Sequence, residues 1–209
     1  MNFVLFIEGY TERKALPTFF KKWLDPQLSQ PVGIKTVRFD GWPELVKDTP
    51  KKAGLYLNGP QKHEIVAVIA LLDLYGPTLL YPADKKTAQE RYEWAKAYLE
   101  SKVNHPRFRQ FFAVHEIEAW LLSDPNLFSA EIKKALPGKI KHPEEINFDA
   151  PPAKLLQNLY QQKTKRTYKK TTDGNELFNK LDPNLAYVKC PRLKELFDEM
   201  LRLSQEAGL

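Results

Sequence analysis

Cysteine is almost missing from this 209-residue chain: Cys190 stands alone. One thiol closes no intramolecular disulfide and builds no cysteine-based metal site. A reducing, intracellular setting follows most naturally. Long hydrophobic runs are missing too. The longest strongly apolar stretch, IVAVIALL from Ile65 to Leu72, falls far short of the about 20 residues that span a bilayer. The opening NFVLFI has an acid beside it and no basic leader, unlike a secretory signal. A soluble cytoplasmic protein with no membrane association is expected. The phosphate-binding signatures GxGxxG and the Walker lysine loop are absent, so the chain shows no ATP or dinucleotide site of its own. No GxSxG element supports a serine-hydrolase arrangement.

What the chain does have is core-forming material. Aliphatic and aromatic residues make up 43% of it, enough for one sizeable domain or one domain with a helical appendage. Lys and Arg outnumber Asp and Glu by 32 to 26. That excess permits a polyanionic partner and is equally consistent with a solvated basic surface.

Apolar runs and turn signals alternate along the first part of the chain. Asn2 to Ile7 reads as a buried strand. Thr11 is placed to cap a helix through TERKALPTFFKKWL, with Glu12 in its first turn and Pro17 as a kink or a late start. Gly9 lets the chain turn tightly off the strand. GIKTVRFD reads as a second strand, and residues 43–58 as a helix interrupted at Pro50 and Gly54. EIVAVIALLD is the strongest strand and ends at Asp73 before the loop signal LYGP. KKTAQERYEWAKAYLESK is an amphipathic helix, RFRQFFAVHE a fourth strand, and EIEAWLLSD a helix closed by Asp124-Pro125. The order βαβαβαβα predicts an α/β domain, 1–125, with a mostly parallel sheet. Residues 126–209 read as a helical region that completes or caps it, with helices near AEIKKAL, AKLLQNLYQQK, NELFNKL and PRLKELFDEMLRLSQ.

Sites in open parallel sheets gather beyond the carboxyl ends of the strands. Glu8 ends the first strand, Asp73 the third, and the HEIE run, His115 to Glu118, the fourth. An acid that closes a buried strand is held by backbone N–H groups or awaits a cation. Carboxylates from separate elements at one edge suit a hard cation such as Mg²⁺. The same acids also complement helix dipoles, so a structural role for each stays open. Glu116 and Glu118 lie about 200° apart on a helix, so both face the site only if the helix starts between them. Glu118, in the more apolar surroundings, is the favoured site carboxylate and Glu116 the alternate. His115 is a candidate base, metal ligand or hydrogen-bonded core residue. KTKRTYKK, with Lys163, Lys165, Arg166, Lys169 and Lys170, has the composition of a phosphate-backbone contact.

These pieces carry a resemblance. IEGYTE after a first strand, an Asp after a third and EIEAWLL after a fourth resemble the Toprim fold. That is the catalytic domain of topoisomerases, primases and the overcoming-lysogenization-defect (OLD) nucleases. More closely, EGYTE, DLYGP, HEIEAWLLSDP, PPAKLLQNLY, YKKTTDG and the CP of KCPRLKELFDEM resemble a bacterial Toprim-related family, domain of unknown function 4276. The resemblance runs from about residue 3 to residue 200, and HEIEAWLLSDP is its most specific piece. It implies a Toprim-like four-stranded sheet and a Mg²⁺- or Mn²⁺-dependent nuclease in which Glu8 and Asp73 are metal acids and Glu118 is added from the fourth strand's helix. It implies a late lysine as well, with Lys170 the best match and Lys169 and Lys154 as rivals. Thr11 and Glu12 belong to the same pattern. One departure is that Tyr75 stands where the pattern has a second Asp, and a phenol is a poor Mg²⁺ ligand at neutral pH. One carboxylate must then come from elsewhere, with Glu118 or Glu116 as supplier. The resemblance further implies a nucleic-acid substrate, DNA or RNA, a neighbouring ABC-type ATPase and a role in anti-phage defence. The competing expectation is a non-catalytic module that docks on that ATPase through Trp42, Tyr75, Tyr81 and Trp94, or binds nucleic acid without cutting. A homo-oligomer is also compatible with the chain.

Overall fold

The computed structural model describes residues 1–74, 79, 81–137, 140–145 and 151–209. Strands β1 (Asn2–Ile7), β2 (Gly33–Arg38), β3 (Ile65–Asp73) and β4 (Phe108–Ala113) form one four-stranded sheet in the order β2-β1-β3-β4. Every adjacent pair is parallel. β1 and β3 are therefore central, which explains their unbroken apolar sequences: both faces must be covered.

The cover is helical. Along β1, Phe3, Leu5 and Ile7 point into one core cluster while Val4 and Phe6 point into the other, the period-2 alternation of a strand. On the second face, α2 (Trp42–Asn58) and α3 (Ala88–Val103) bring Leu45, Ala53, Leu57, Tyr92 and Ala95 against Val68 and Ala70. On the first face lie α1 (Tyr10–Leu24) and the later helices. These are α4 (Glu118–Leu121), α5 (Ala130–Ala135), α6 (Pro152–Thr164), α7 (Asn175–Lys180), α8 (Pro183–Lys189) and α9 (Pro191–Glu206), of which α9 also packs directly on β3 and β4. Phe178 of α7 and Leu193, Phe197 and Met200 of α9 share one cluster with Phe3, Leu5 and Phe19. The rings of Phe19 and Phe20 meet Trp120 and Phe197 there. Fully burying a side chain of this size contributes about 1.5–3 kcal/mol.

Several local expectations are corrected. Helix α1 runs unbroken through Pro17, and α2 through Pro50 and Gly54. Their buried faces outweigh the local cost, since tertiary packing of an amphipathic face supplies most helix stability. Thr11 does not cap α1. The cap position is Gly9, without a side-chain hydrogen bond, and Thr11 is buried one residue inside the helix. The helix expected over EIEAWLLSD is a single turn, α4. Helix α8, not expected from the sequence, starts at Asp182, whose carboxylate accepts the Asn184 N–H at 2.9 Å. Among the described residues, no helix is long and apolar enough to cross a membrane.

Candidate active site

The parallel register sets the site. β1 and β3 lie side by side, with Phe6 opposite Ala70, so Glu8 leaves the sheet beside Asp73, the last residue of β3. β4 continues the same edge, and the chain leaves it through His115 to α4, which begins at Glu118. The helix thus starts between Glu116 and Glu118, the condition under which both can face one point. They do. Lys170 Nζ lies 2.9 Å from Glu116 Oε1 and 3.2 Å from Glu118 Oε2.

Lys170 arrives from far along the chain, on a π-helical turn, Lys170–Gly174. Two features seat that turn. The Asp173 carboxylate accepts the Lys169 N–H at 2.7 Å. Gly174 packs so tightly that a Cβ there would lie 2.8 Å from the Tyr168 hydroxyl and 3.5 Å from the Thr11 methyl. Thr11 therefore supports the lysine turn from beneath. Glu116 has a second commitment, because its Oε2 accepts the Ala153 N–H at 3.0 Å and so caps α6 from a distance. Glu116 reads as the group that positions Lys170, which leaves Glu118 as the less committed carboxylate.

From sequence, Glu12 is expected at the helix start, or at most in a supporting place. The structure puts it inside the cluster. Its side chain folds back over Gly9, where a Cβ would stand only 2.9 Å from the Glu12 carboxyl carbon. Gly9 itself has ordinary extended backbone, φ −108° and ψ 169°. The missing Cβ leaves the Glu12 carboxylate room to lie against the Gly9 backbone; a larger residue there would push that flexible side-chain end aside. The available signal was a glycine three residues before a glutamate at a helix start.

The electrostatics follow from five carboxylates around one ammonium: Glu8, Glu12, Asp73, Glu116 and Glu118 around Lys170. Burial, and then the charge of Glu12, pushes the Glu8 carboxyl up to about 7. Burial pushes Glu118 to about 7 as well, although Lys170 pulls against it. Burial raises Glu12. Burial and then Glu12 raise Asp73 well above the carboxylate range, while Lys170 opposes. For Lys170 burial disfavours the charge, but Glu118, Asp73 and Glu116 outweigh it and hold the ammonium above its usual range. One ammonium does not balance five acids. The remainder must be met by protons or by further cations.

Whether a divalent cation fits is tested by the donors. Glu118 is 0% exposed, and neither of its carboxyl oxygens has an aligned hydrogen-bond donor among the described residues. The Lys170 ammonium, 3.2 Å from Oε2, is the one cation that offsets this burial among the described residues, and it is shared with Glu116. The donor set is all carboxylate oxygen, the hard chemistry that Mg²⁺ and Mn²⁺ take. Among the described residues, no group of three or more His, Cys, Asp or Glu is arranged so that it could hold an ion as it stands. The Lys170 ammonium holds the cation position between Glu116 and Glu118. The residues thus suit such a group in donor type, though no ion site is assembled from them among the described residues.

Comparison with known proteins gives one decisive match: the model of a family described as Domain of unknown function (DUF4276) covers residues 7–201. The chain belongs to the DUF4276 family. No curated protein matches it. Among solved structures, it is similar to the C-terminal region of the Burkholderia pseudomallei OLD protein, at 17% identity and TM-score 0.46 over 95% of this chain and 98% of that one. It is also similar to the C-terminal region of the Xanthomonas campestris pv. campestris OLD protein, at 18% identity and TM-score 0.44 over 99% and 98%.

The remaining candidates of this DUF4276 chain lie apart from the acids or outside the described residues. Lys163, Lys165, Arg166 and Lys169 are exposed. Arg166 is tied to Asp173 at 2.8 Å and lies over the Tyr160 ring. Lys154 is exposed on α6. Of the three candidate lysines it is Lys170 that the fold turns inward. Tyr75 lies outside the described residues, as do residues 76–78 and 80 of the loop that follows Asp73. His115 is 2% exposed, sits at φ 68° in the left-handed region, and is held below the usual histidine range by burial. It borders a cleft of about 440 Å³ with Tyr92, His142, Glu144 and Arg192. At the floor of that cleft Glu144 accepts the Arg192 and Leu193 N–H groups, at 2.8 and 3.2 Å, and caps α9.

Proposed function

We propose that this DUF4276 protein is a Mg²⁺- or Mn²⁺-dependent nuclease of the Toprim type that cleaves nucleic-acid phosphodiesters. The observation that carries it is the convergence of Glu8, Glu12, Asp73 and Glu118 on Lys170 at the carboxyl edge of the sheet, with Glu118 buried and lacking an aligned donor. A divalent cation supplies Lewis-acid polarisation of a phosphate and makes water a better nucleophile.

The chain's own residues do the rest. Glu8 and Asp73, fixed at the ends of adjacent central strands, hold their carboxylates on a rigid frame. Glu118 is kept dry behind them, where its charge acts at low dielectric. Lys170 is the group suited to the transition state, because its side chain keeps 38% exposure and its ammonium can meet charge growing on phosphate oxygens. Glu116 orients Lys170 and, through Ala153, ties that orientation to α6. The exposed basic residues 163–169 provide a backbone track toward the Lys170 turn. The family resemblance extends the reading to work beside a separate ABC-type ATPase in anti-phage defence.

The test is cleavage of labelled single- and double-stranded DNA and of tRNA with Mg²⁺ or Mn²⁺, beside Glu8→Gln. Glu8→Gln should lose at least about 100-fold, the scale on which removing one electrostatic contact to a transition state is felt. Equal cleavage by both proteins sinks the assignment.

A further inference from the structure

We propose that Tyr10 is a stacking platform for one unpaired nucleobase beside the acid cluster, so that the site selects single-stranded nucleic acid. The inference rests on the nuclease reading for what the neighbouring site does, and it adds the substrate class.

Tyr10 opens α1 two residues after Glu8. The residues around it turn inward: Ile7 is 0% exposed and Thr11 4%. Tyr10 alone among them faces water, at 55% exposure. The ring is not loose. Arg38, the residue of β2 that pairs in register with Ile7, lays its guanidinium against it, 4.6 Å from the ring centroid. Arg38 is itself fixed, bonding the Phe39 carbonyl at 3.2 Å and the Asp40 carboxylate at 2.6 Å. The fold therefore braces one face of an aromatic ring with an immobilised cation and leaves the rest of the ring to solvent.

A flat, braced, solvent-facing ring two residues along the chain from Glu8 suits base stacking. Every base has a π-face, so such a contact tolerates sequence, and cation–π support is a recurring part of single-strand grooves. Bases inside a duplex already stack on both sides, so away from duplex ends only an unpaired base has a face to give. A base seated on Tyr10 would bring its adjoining phosphate toward Glu8. Other surface rings are less available. Trp94 and Tyr98 stack on each other at 4.9 Å, and Lys102 lies over Tyr98.

The test is equilibrium binding in metal-free buffer, read by fluorescence anisotropy, so that it does not depend on cleavage. Wild type, Tyr10→Phe and Tyr10→Ala are titrated with a single-stranded oligonucleotide, the same strand fully abasic, and the matching duplex. Stacking predicts a loss of roughly 5- to 100-fold for Tyr10→Ala on the base-bearing strand. It predicts near-wild-type binding by Tyr10→Phe and no difference among the three proteins on the abasic strand. Equal binding by wild type and Tyr10→Ala overturns the inference, as does wild type preferring the duplex or ignoring the bases. Binding that follows this pattern without cleavage under any metal would remove the nuclease reading and leave the platform standing.

Discussion

Lys170→Met should be among the most destabilising single changes in the protein, and the loss should depend on pH and on divalent cations. Methionine keeps the unbranched stem but removes the ammonium that Glu116 and Glu118 contact at 2.9 and 3.2 Å. Breaking a fully buried pair by deleting one partner typically costs about 3–5 kcal/mol, but the Lys170 side chain is 38% exposed and water screens part of the interaction, which brings the loss to about 2–3 kcal/mol. For a chain of this length that is a fall in melting temperature of roughly 5–10 °C. At pH 8, without metal, the full effect is expected. At pH 5.5 the Glu8 and Glu118 carboxyls are mostly protonated, being pushed up to about 7, so the loss should shrink to a fraction. Millimolar Mg²⁺ or Mn²⁺ at pH 8 should restore much of it. Thermal melts at the two pH values, with and without metal, check this. The same loss at both pH values would show that Lys170 acts through packing.

Glu118→Gln should do the reverse, making the metal-free protein more stable while abolishing cleavage. The sign follows from linkage. The Glu118 carboxyl titrates at 4.5 when unfolded and at about 7 when folded. Between those values the folded state holds the extra proton, so stability falls as pH rises from about 4.5 to 7 and then levels off. The accumulated penalty at pH 8 is on the order of 3 kcal/mol for this one buried group. Glutamine has nearly the same shape and no charge, so it removes the penalty. Lys170 keeps Glu116 as a direct partner, so losing Glu118 does not strand the ammonium. The melting temperature of Glu118→Gln should exceed wild type at pH 8 without metal and match it near pH 5. A variant less stable than wild type at pH 8 would mean that the Lys170 attraction outweighs the burial cost of Glu118. A buried carboxylate that costs stability in the folded state is what a functional carboxylate looks like.

The frame of this site was legible because it depends on patterns of short range. Unbroken apolar runs marked β1 and β3 as central, and parallel strands with helical crossovers force their carboxyl ends to one edge. Glu8 and Asp73 could be found by that logic alone. Lys170 could not. It lies far from the acids in sequence, and only the packing of Gly174 on Tyr168 and Thr11 turns it inward while Lys169 beside it stays exposed. Glu12 was hidden for a different reason. A glutamate in a first helical turn is already accounted for by the helix dipole, so nothing in its position called for more. Its place against Gly9, three residues back, shows only once the side chain is folded over that residue. Glu116 was legible as an alternate to Glu118, but the spacing left open where the helix starts, and only the start at Glu118 lets both reach Lys170. Whether the acids face a lysine, a metal or both depends on side-chain distances that no spacing rule encodes.

The most direct test of a cation-binding acid cluster is calorimetric titration of the metal-free protein with Mn²⁺ at pH 6.5, in buffers of different ionisation enthalpy, beside the Glu8→Gln/Asp73→Asn double variant. Wild type should bind saturably and release protons, because carboxyls pushed up to about 7 must ionise to become ligands. The double variant should lose that binding and its proton release. Wild type that takes up no Mn²⁺, or both proteins binding it alike, would contradict the account.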